Sequence, residues 1–499
     1  MELQFNKSVI PCMQTILRDT QVQEQTQEVR LSDGMPDIGK VLASWGQVII
    51  SGKQWHSAGI GISGGVMAWV LYAPEDGTEP RCVETWLPFQ MKWDFMDVHE
   101  DGVICIQPTL YSVDGRSTSA RKLMVRSLVS ILAEAMIDKE ACVYSSGEVP
   151  VDICLLKSTY PLQLSVEAGE KAFSLEDYTT LPESQPAIGK IMRYHVQPEL
   201  TEQKILTDKI IFRGNMILHI LYRGIDERLY SWDFEIPFSQ FADLNKEYGN
   251  DSTAQICFAV TNLEVELGEG GTVRYKAGLT GQYKVLNTTM IDVVEDAYSP
   301  LRPVVLQGEN LKLPVVLDTL EQEIFAEQVI DADASCVADV AYMPERVVLH
   351  VENDNITGEL NGVFQTLYYD DNDCIQCTTS RWEDTWTMRA SKEARVDTAI
   401  LPCGPARATT NGMNMRLQSN MKMQAMTWSE NGIPMVVGLE VGEVTQPDPN
   451  RPSLVLCRAG EEGLWNLAKR TGSTVDAIKK ANNLEHEPDS KKLLLIPIT

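Results

Sequence analysis

Residues 59–64 read Gly-Ile-Gly-Ile-Ser-Gly, which is the glycine spacing of a loop that binds the pyrophosphate of a dinucleotide. Such a loop must lead directly into a helix, because the N-terminal end of the helix stabilises the phosphate charge. Here residues 66–72 follow, and their bulky and β-branched side chains favour a strand. We therefore interpret residues 59–64 as a glycine-rich turn and predict that the chain binds no cofactor.

Cys374 and Cys377 form a Cys-x-x-Cys pair, a spacing found in zinc sites and in thiol redox motifs. A zinc site needs further cysteines or histidines at suitable spacing, and the redox motif needs a helix start within a βαβ unit. The neighbouring sequence offers neither. The acidic residues at 370–373 also lack the ligand pattern of a calcium loop. We interpret this region as a solvated turn followed by a strand, and we predict no metal site.

The histidines do not form a catalytic group in the sequence. The six are His56, His99, His195, His219, His350 and His486. They are dispersed, without the Ser/His/Asp or Cys/His groupings of nucleophilic catalysis. Those at 219 and 350 lie in strand-like runs, where a structural histidine is the commoner case. We predict that the protein has no catalytic residues and is not an enzyme.

The elements that carry these residues are repeated. Residues 36–42, Pro-Asp-Ile-Gly-Lys-Val-Leu, return at 186–192 as Pro-Ala-Ile-Gly-Lys-Ile-Met. Each copy precedes a β-like run that ends in Leu-Tyr, at 71–72 and at 221–222, and a third Leu-Tyr lies at 367–368. A fixed spacing of this size predicts tandem domains with cores of their own rather than a short-period solenoid.

Period-two alternation predicts that each repeat closes with a hairpin. Residues 260–267 and 273–279 flank the turn Gly-Glu-Gly-Gly at 268–271, and alternate residues of the second run are apolar. In the third repeat, residues 413–417 and 421–425 show the same alternation and are expected to form two such strands. Residues 123–136 resemble an amphipathic helix in isolation, but the repeat favours a strand. The Pro-, Glu- or Asp-rich segments near 173–186, 300–335 and 446–452 are interpreted as connectors.

The C-terminal segment has a different pattern, which predicts strand, helix, helix, strand. Residues 454–456 form the first short strand and residues 493–497 the closing strand. Leu464, Trp465, Leu467 and Ala468 lie on one side of the first helix. Ser473 is expected to begin the second helix, with Asp476 completing a near capping box.

The predicted fold class is therefore a mostly β multidomain protein with a small C-terminal α+β domain of βααβ order. The predicted boundaries are 1–35 for an extended lead-in, 36–180, 181–325 and 326–446 for three repeats of which the last is divergent, and 453–499 for the C-terminal domain.

The composition indicates which kinds of partner and which cellular compartment are expected for this protein. The chain has 43 basic and 70 acidic residues, a formal net charge of −27, which disfavours binding to nucleic acid phosphates or to an anionic membrane. Eleven cysteines without a tight framework favour a reducing compartment. The first residues lack the pattern of a signal peptide, and the most apolar segment, 128–137, is too short and interrupted to span a bilayer. We expect a cytoplasmic protein without a membrane span.

Two resemblances give these elements a family context. The C-terminal segment resembles a LysM domain in residues 460–469, 473–478, 481–484 and 494–497. The repeats are similar to the SPOCS domains of spore-coat morphogenesis proteins in the Pro-x-Ile-Gly-Lys element, the Leu-Tyr strand and a Pro-Phe pair at 88–89 and 237–238. SPOCS repeats followed by one LysM domain resemble a family of such proteins, and the similarity extends over nearly the whole chain.

The resemblance implies a non-enzymatic scaffold of spore coat or cortex morphogenesis. It implies a protein made in the mother cell, located at the forespore surface, that binds a SpoIVA-like coat basement protein partly through its LysM domain. The alternative is a protein that binds peptidoglycan, since LysM domains bind N-acetylglucosamine glycans in a groove between two loops. Carried onto this sequence, the groove residues are Gly460, Glu461, Glu462, Gly463, Leu464, Trp465, Asn482, Asn483 and Leu484.

Gly463 occupies the place where the LysM motif carries a hydroxyl side chain. The absence of the hydroxyl group removes a hydrogen-bond donor and acceptor for a sugar, which favours protein contact over glycan binding. For Trp465 both packing against the neighbouring helix and contact with a partner remain open. The identity of the partner, the oligomeric state and the role of each repeat are not decided by the sequence.

Overall fold

The computed structural model describes residues 2–145, 147–249, 251–313, 315–345, 347–352, 355–389, 395–429, 432–445, 451–460, 462–486 and 488–498. Strands make up 75% of the structure and helices 4%, and the strands form several separate sheets. The prediction of a mostly β fold is confirmed. The identity of the C-terminal segment as a LysM domain is not shown by the fold.

Three units share one strand order. The first unit consists of β2 (Asn6–Arg30), β3 (Ile38–His56), β4 (Gly59–Pro74), β5 (Arg81–Asp94), β6 (Val103–Ser119) and β7 (Lys122–Ser145), preceded by β1 (Glu2–Gln4). The second unit consists of β8 (Cys154–Thr180), β9 (Ile188–Leu206), β10 (Lys209–Gly224), β11 (Leu229–Asp243), β12 (Thr253–Leu267), the 3-10 turn Glu269–Gly271, and β13 (Thr272–Tyr298). The third unit is preceded by β14 (Val304–Leu311), and it consists of β15 (Val315–Asp331), β16 (Cys336–Pro344), β17 (Val348–Glu352), β18 (Asn355–Tyr369), β19 (Ile375–Arg389), β20 (Arg395–Thr410) and β21 (Asn414–Ser429), followed by β22 (Ile433–Val441).

In each unit an antiparallel meander packs against a second sheet. The meanders are β3-β4-β5, β9-β10-β11, and β18 flanked by β16, β17 and β19. The second sheet joins the long first strand to the closing hairpin, as in β2-β7-β6. Apolar residues of both sheets form one core in each unit. The strands β1, β22 and β14 form a further sheet that joins the two ends of the body.

The closing hairpins follow the predicted alternation. Val273, Tyr275, Ala277 and Leu279 are all buried on one face of β13, and residues 123–136 lie in the strand β7. The expectation of two strands between 413 and 425 was wrong. Met415, Leu417, Met421 and Met423 are buried on one continuous strand, β21, whose hairpin partner is β20. The odd-numbered residues share one face because side chains alternate along a single strand.

Two further interpretations are corrected by the strand pairing. Most of the presumed connectors are strands: residues 173–180 belong to β8, and 304–311 and 315–331 are β14 and β15. Their polar residues are explained by exposure of one face. Residues 59–64 are not a turn but the beginning of strand β4. A β-carbon on Gly64 would lie 2.4 Å from the Ile49 carbonyl oxygen, so glycine is needed there by close approach of the neighbouring strand.

The Ile-Gly-Lys and Leu-Tyr motifs recur together because they touch. Tyr72 donates a hydrogen bond from its hydroxyl to the Pro36 carbonyl oxygen at 3.0 Å, and Tyr222 donates to Gln185 at 3.2 Å. A β-carbon on Gly39 would lie 3.0 Å from the carbonyl oxygen of Ala73, which follows the Leu-Tyr pair in β4. The motif therefore closes the end of the first and second meanders.

The domain boundaries remain predictions, and the strand pairing runs across them. The presumed lead-in, 1–35, contains β2, which pairs with β7 from Asn6 to Arg30. The boundary at 180/181 separates β8 from its partner β13, although the two are paired over almost their whole length. The first and second structural units therefore begin with the long strand before the Pro-x-Ile-Gly-Lys element.

The C-terminal module, residues 453–499, folds in the predicted order. It consists of β23 (Leu454–Arg458), α1 (Gly463–Thr471), α2 (Val475–Asn482) and β24 (Leu493–Pro497), with β23 and β24 antiparallel. The helix α2 begins one residue later than expected, because Thr474 is its N-cap and accepts a hydrogen bond from the Ala477 backbone N–H. Ser473 is buried instead, with its hydroxyl donating to the Pro497 carbonyl oxygen.

Candidate functional site

Equivalent positions of the three units meet at one buried junction. The leucines of the three Leu-Tyr motifs belong to a single hydrophobic cluster; they are Leu71, Leu221 and Leu367. Each is paired with the residue that follows a β-bulge in the neighbouring strand; these residues are Ala43, Arg193 and Asp339. The same bulge in all three meanders places these side chains at the junction.

Arg193 and Asp339 form a buried ion pair there. Arg193 Nη2 lies 3.6 Å from Asp339 Oδ2, and both side chains are 2% exposed. The guanidinium also lies over the ring of Trp45, 4.4 Å from the ring centroid, a favourable cation–π geometry. Trp45, Arg193 and Asp339 come from the first, second and third units, so this one guanidinium contacts all three.

His219 extends the charge network along the second unit. Its Nδ1 lies 2.7 Å from Asp233 Oδ1, and its Nε2 lies 3.0 Å from Asp339 Oδ1, without hydrogen-bond alignment in the second contact. The ring of His195 packs against it at 4.8 Å between centroids. Burial opposes protonation of His219, but Asp339 and Asp233 outweigh burial and raise the pKa of His219 to about 9.

The neighbouring groups complete a balanced set of charges. Burial alone would raise the pKa of the Asp339 carboxyl, but Arg193 and His219 hold it well below its usual value. Burial and the Arg193 cation keep the pKa of His195 well below its ordinary range, so this ring is neutral. Two cations and two carboxylates therefore face each other, and a displacement of one unit would leave a buried charge unpaired.

A second network also crosses all three units. Glu134 of the first unit pairs with Arg18 at 2.8 Å and with Lys284 of the second unit. Arg18 reaches Asp397 of the third unit, also at 2.8 Å. Burial works against ionisation of Glu134, but Lys284 and Arg18 lower its pKa to about 2. Both networks can hold the units in one register; they place buried charges against each other rather than towards an open cleft.

Sequence reasoning missed Arg193 and Asp339. In the third unit, residues 334–336 take the place of Ile-Gly-Lys as Ala-Ser-Cys, with Ala334 as buried as Ile38 and Ile188. An alignment on the Leu-Tyr motifs would have set Asp339 against Arg193, and this opposite charge at equivalent positions was the available signal.

The C-terminal module is docked on the second unit through α1. Trp465 donates a hydrogen bond from Nε1 to Asp296 Oδ2 at 2.8 Å, and its ring meets Tyr298 edge to face at 4.9 Å between centroids. Lys469 Nζ lies 2.7 Å from Asp296 Oδ1. The Tyr298 hydroxyl donates to the Ser473 carbonyl oxygen at 3.0 Å. Trp465 therefore packs against β13 of the body.

The residues predicted for the first groove loop have mainly structural contacts. Leu464 is buried in the core of the module. Glu462 forms an ion pair with Arg470 at 2.6 Å. Gly460 and Gly463 adopt positive φ values of 67° and 74°. Glu461 lies outside the described residues.

The second predicted loop is fixed to β24. Asn482 donates to the Leu495 carbonyl oxygen at 2.6 Å and accepts from the Leu495 backbone N–H at 2.7 Å. Asn483 ends α2 in the left-handed conformation, with φ of 51°, and Leu484 packs on the core of the module. Asn483 and Leu484 line a shallow depression together with Asp476, Lys479, Lys480 and Glu485. None of the described residues of the first loop lines this depression, and the role of the nine residues as a binding groove stays a prediction.

The two cysteines of the Cys-x-x-Cys pair lie in different environments, and Cys377 packs against the buried junction. Cys374 is exposed beside the turn, whereas Cys377 is partly buried opposite Leu367. Among the described residues no group of three His, Cys, Asp or Glu side chains is arranged to hold a metal ion. The helices of the described part of the chain are too short to cross a membrane.

Comparison with known proteins gives a family match for the region that contains the second meander. The model of the family "SipL, SPOCS domain" matches residues 187–267. This part of the chain is a SipL-like SPOCS domain. The match indicates a sporulation-related protein. No curated protein and no solved structure matches the chain.

The SPOCS match begins just before β9 and ends with β12. It therefore includes Arg193, His195, His219 and Asp233, the second unit's contribution to the buried junction. The long strands β8 and β13, which complete the sheet of this unit, lie outside the matched residues.

Proposed function

We propose that this protein is a non-enzymatic scaffold for morphogenesis of the spore envelope, at the forespore surface in the mother cell. The match of a SPOCS domain at residues 187–267 carries the proposal. The ion networks around Asp339 and Glu134 support it, because they join three units into one body as a scaffold requires. The partner proposed is a SpoIVA-like coat basement protein, and the protein would resemble SipL and SpoVID in this role.

The C-terminal module, proposed to be a LysM domain, would supply part of the contact with that partner. Its βααβ order and its docking through Trp465 leave one side of α2 and the outer face of its two strands exposed. Gly463, in place of a hydroxyl residue, favours a protein over a glycan as ligand.

Binding of peptidoglycan glycan at the cortex or wall is the second candidate. The depression beside Asn483 favours it, because exposed Asp476, Lys480 and Asn483 side chains there present donors and acceptors to a polar ligand. In this case the module would anchor the scaffold to the cortex rather than to a protein layer.

The test is a pull-down of the full chain with two baits, the purified SpoIVA-like protein of the same cell and purified spore peptidoglycan. A chain that ends at residue 445 serves as the matched control for the contribution of the module. Retention of the full chain on the protein bait, weakened by truncation, is the expected result. Retention on peptidoglycan alone would replace the proposal with the second candidate, and binding to neither bait would refute both.

A further inference from the structure

The outer face of the two-stranded sheet in the C-terminal module is apolar and uncovered. Four leucines form it, and we call them the leucine face: Leu454, Leu456, Leu493 and Leu495. They are 52%, 61%, 56% and 40% exposed while the module is docked on the body. Val455, Leu494 and Ile496 alternate with them and point to the other side, into the core of the module.

The leucines are neighbours in space as well as in type. The register of β23 and β24 sets Leu456 directly opposite Leu495, and Arg458 opposite Leu493. Residues opposite each other on one face of an antiparallel pair are in side-chain contact. Asn482 holds the backbone of Leu495 through two hydrogen bonds, so the patch is carried on a fixed strand. Contiguous exposed apolar side chains with a polar rim are typical of protein interaction sites.

The docking of the module leaves this face free. Contact with the body is made by Trp465 and Lys469, which reach Asp296, and by the Ser473 carbonyl oxygen, which accepts from Tyr298. The helices lie on the inner side of the sheet, against Leu494 and Ile496, so the leucine face is directed away from the core. A partner could therefore bind the leucine face while the module remains docked on the second unit.

The charges around the leucine face are positive. Arg458 lies on the face itself, and Lys491 and Lys492 immediately precede Leu493; all three are exposed. The module has seven Lys and Arg against six Asp and Glu, whereas the whole chain carries −27. Pairing of two leucine faces would bring these cations together, which disfavours a symmetric dimer through this surface.

We infer that the leucine face is the surface through which the C-terminal module binds a protein partner, one that presents apolar side chains bordered by acidic residues. The inference rests on the proposed function and specifies where the module makes its contact. It places that contact on β23 and β24 rather than in the loops around residues 460–465 and 482–484.

The experiment measures the affinity of the full-length chain for the SpoIVA-like protein by surface plasmon resonance at low and high salt. The test variant is Leu454→Gln with Leu456→Gln, which changes two exposed residues and leaves the buried Leu494 and Ile496 in place. Leu267→Gln is the matched control, because Leu267 is a 41% exposed strand residue in the SPOCS domain. A second test variant, Arg458→Glu, changes the charge of the rim without removing a leucine.

The expected result is at least about tenfold weaker binding by the leucine variant, unchanged binding by Leu267→Gln, and slower, less salt-sensitive association by Arg458→Glu.

Hydrogen exchange of α1 and α2 identifies a variant whose module has unfolded; Arg458→Glu then carries the test. Binding by the wild type that none of the variants reduces would overturn the inference and leave the proposed function standing. Absence of binding by the wild type would refute the proposed protein contact and the inference with it. Self-association that Leu454→Gln with Leu456→Gln abolishes would reassign the face to a second copy of the chain.

Discussion

Arg193 and Asp339 occupy equivalent positions in two repeated units, and their side chains meet 3.6 Å apart in the interior. Each follows a β-bulge and faces the leucine of a Leu-Tyr motif. The first unit has Ala43 in this position, a small residue that leaves room for the pair. At this position the three units carry a small apolar, a positive and a negative side chain. Because these side chains meet at the junction, they specify the order of the units around it.

Replacement of Asp339 by Asn should destabilise the body strongly. The change leaves the buried Arg193 guanidinium without its carboxylate and leaves His219 with Asp233 alone, and the loss of one partner of a buried pair costs about 3–5 kcal/mol. Urea unfolding followed by far-UV circular dichroism measures the effect.

The matched control for Asp339→Asn is Glu202→Gln. Glu202 pairs with Arg213 at 3.0 Å, but both side chains are 56% exposed, so its replacement should cost less than about 1 kcal/mol. The double variant Arg193→Met with Asp339→Leu should recover most of the lost stability, because it removes both buried charges together. Equal effects of Asp339→Asn and Glu202→Gln would contradict the structural role of the junction.

His219 should make the stability of the body depend on pH. Its folded pKa of about 9 lies above the ordinary value of a histidine, so its stabilising contribution is complete below pH 6.5 and is lost as the pH rises through 9. The contribution is on the order of 3 kcal/mol. The difference in unfolding free energy between wild type and His219→Gln should therefore be large at pH 6 and small at pH 9.5.

His350→Gln is the control for this pH series, because the His350 side chain is 52% exposed and its partner Glu359 is 49% exposed. Its replacement should give a small difference at both pH values. A difference for His219→Gln that stayed constant from pH 6 to 9.5 would show that the charge of the imidazole does not contribute.

Much of the fold could be predicted because β-alternation leaves a direct trace in the sequence. Residues 273–279 and 415–425 alternate apolar and polar side chains, and the structure buries the apolar set of each. The long strand β8 was missed at its second half, 173–180. Its polar residues there face solvent and resemble a connector, and its pairing with β13 depends on residues about a hundred positions away.

The contacts of the candidate site were less accessible to sequence reasoning. The ion pair of Arg193 with Asp339 joins two units, and neither residue belongs to a local motif. The role of Trp465 depends on Asp296, which is distant in sequence and carries no sign of its partner. The local alternation of apolar residues shows which face of a strand is buried. Contacts between repeated units can be inferred only when equivalent positions of the units are compared.

Gly214→Ala should destabilise the SPOCS domain. A β-carbon at this position would lie 1.9 Å from the Glu199 carbonyl oxygen and 2.7 Å from the Phe238 ring, which covers the glycine from the neighbouring strand. Overpacking of this kind costs about 1–3 kcal/mol. Gly34→Ala is the control, since nothing lies within 4 Å of its added carbon. Thermal unfolding of both variants measures the effect, and equal melting temperatures would exclude steric contact as the reason for Gly214.

Asp296→Ala should release the C-terminal module from the body. The change removes the acceptor of the Trp465 indole N–H and the ion-pair partner of Lys469, which together contribute about 1–3 kcal/mol to docking. We expect faster release of the module by limited proteolysis and faster hydrogen exchange in α1, with the strands of the body unchanged. Lys480→Ala is the control, because Lys480 lies exposed on α2. A comparison of Asp296→Ala with Trp465→Ala shows how Trp465 affects partner binding. If both variants weaken partner binding equally, the tryptophan acts through docking. A loss confined to Trp465→Ala would show that its ring contacts the partner.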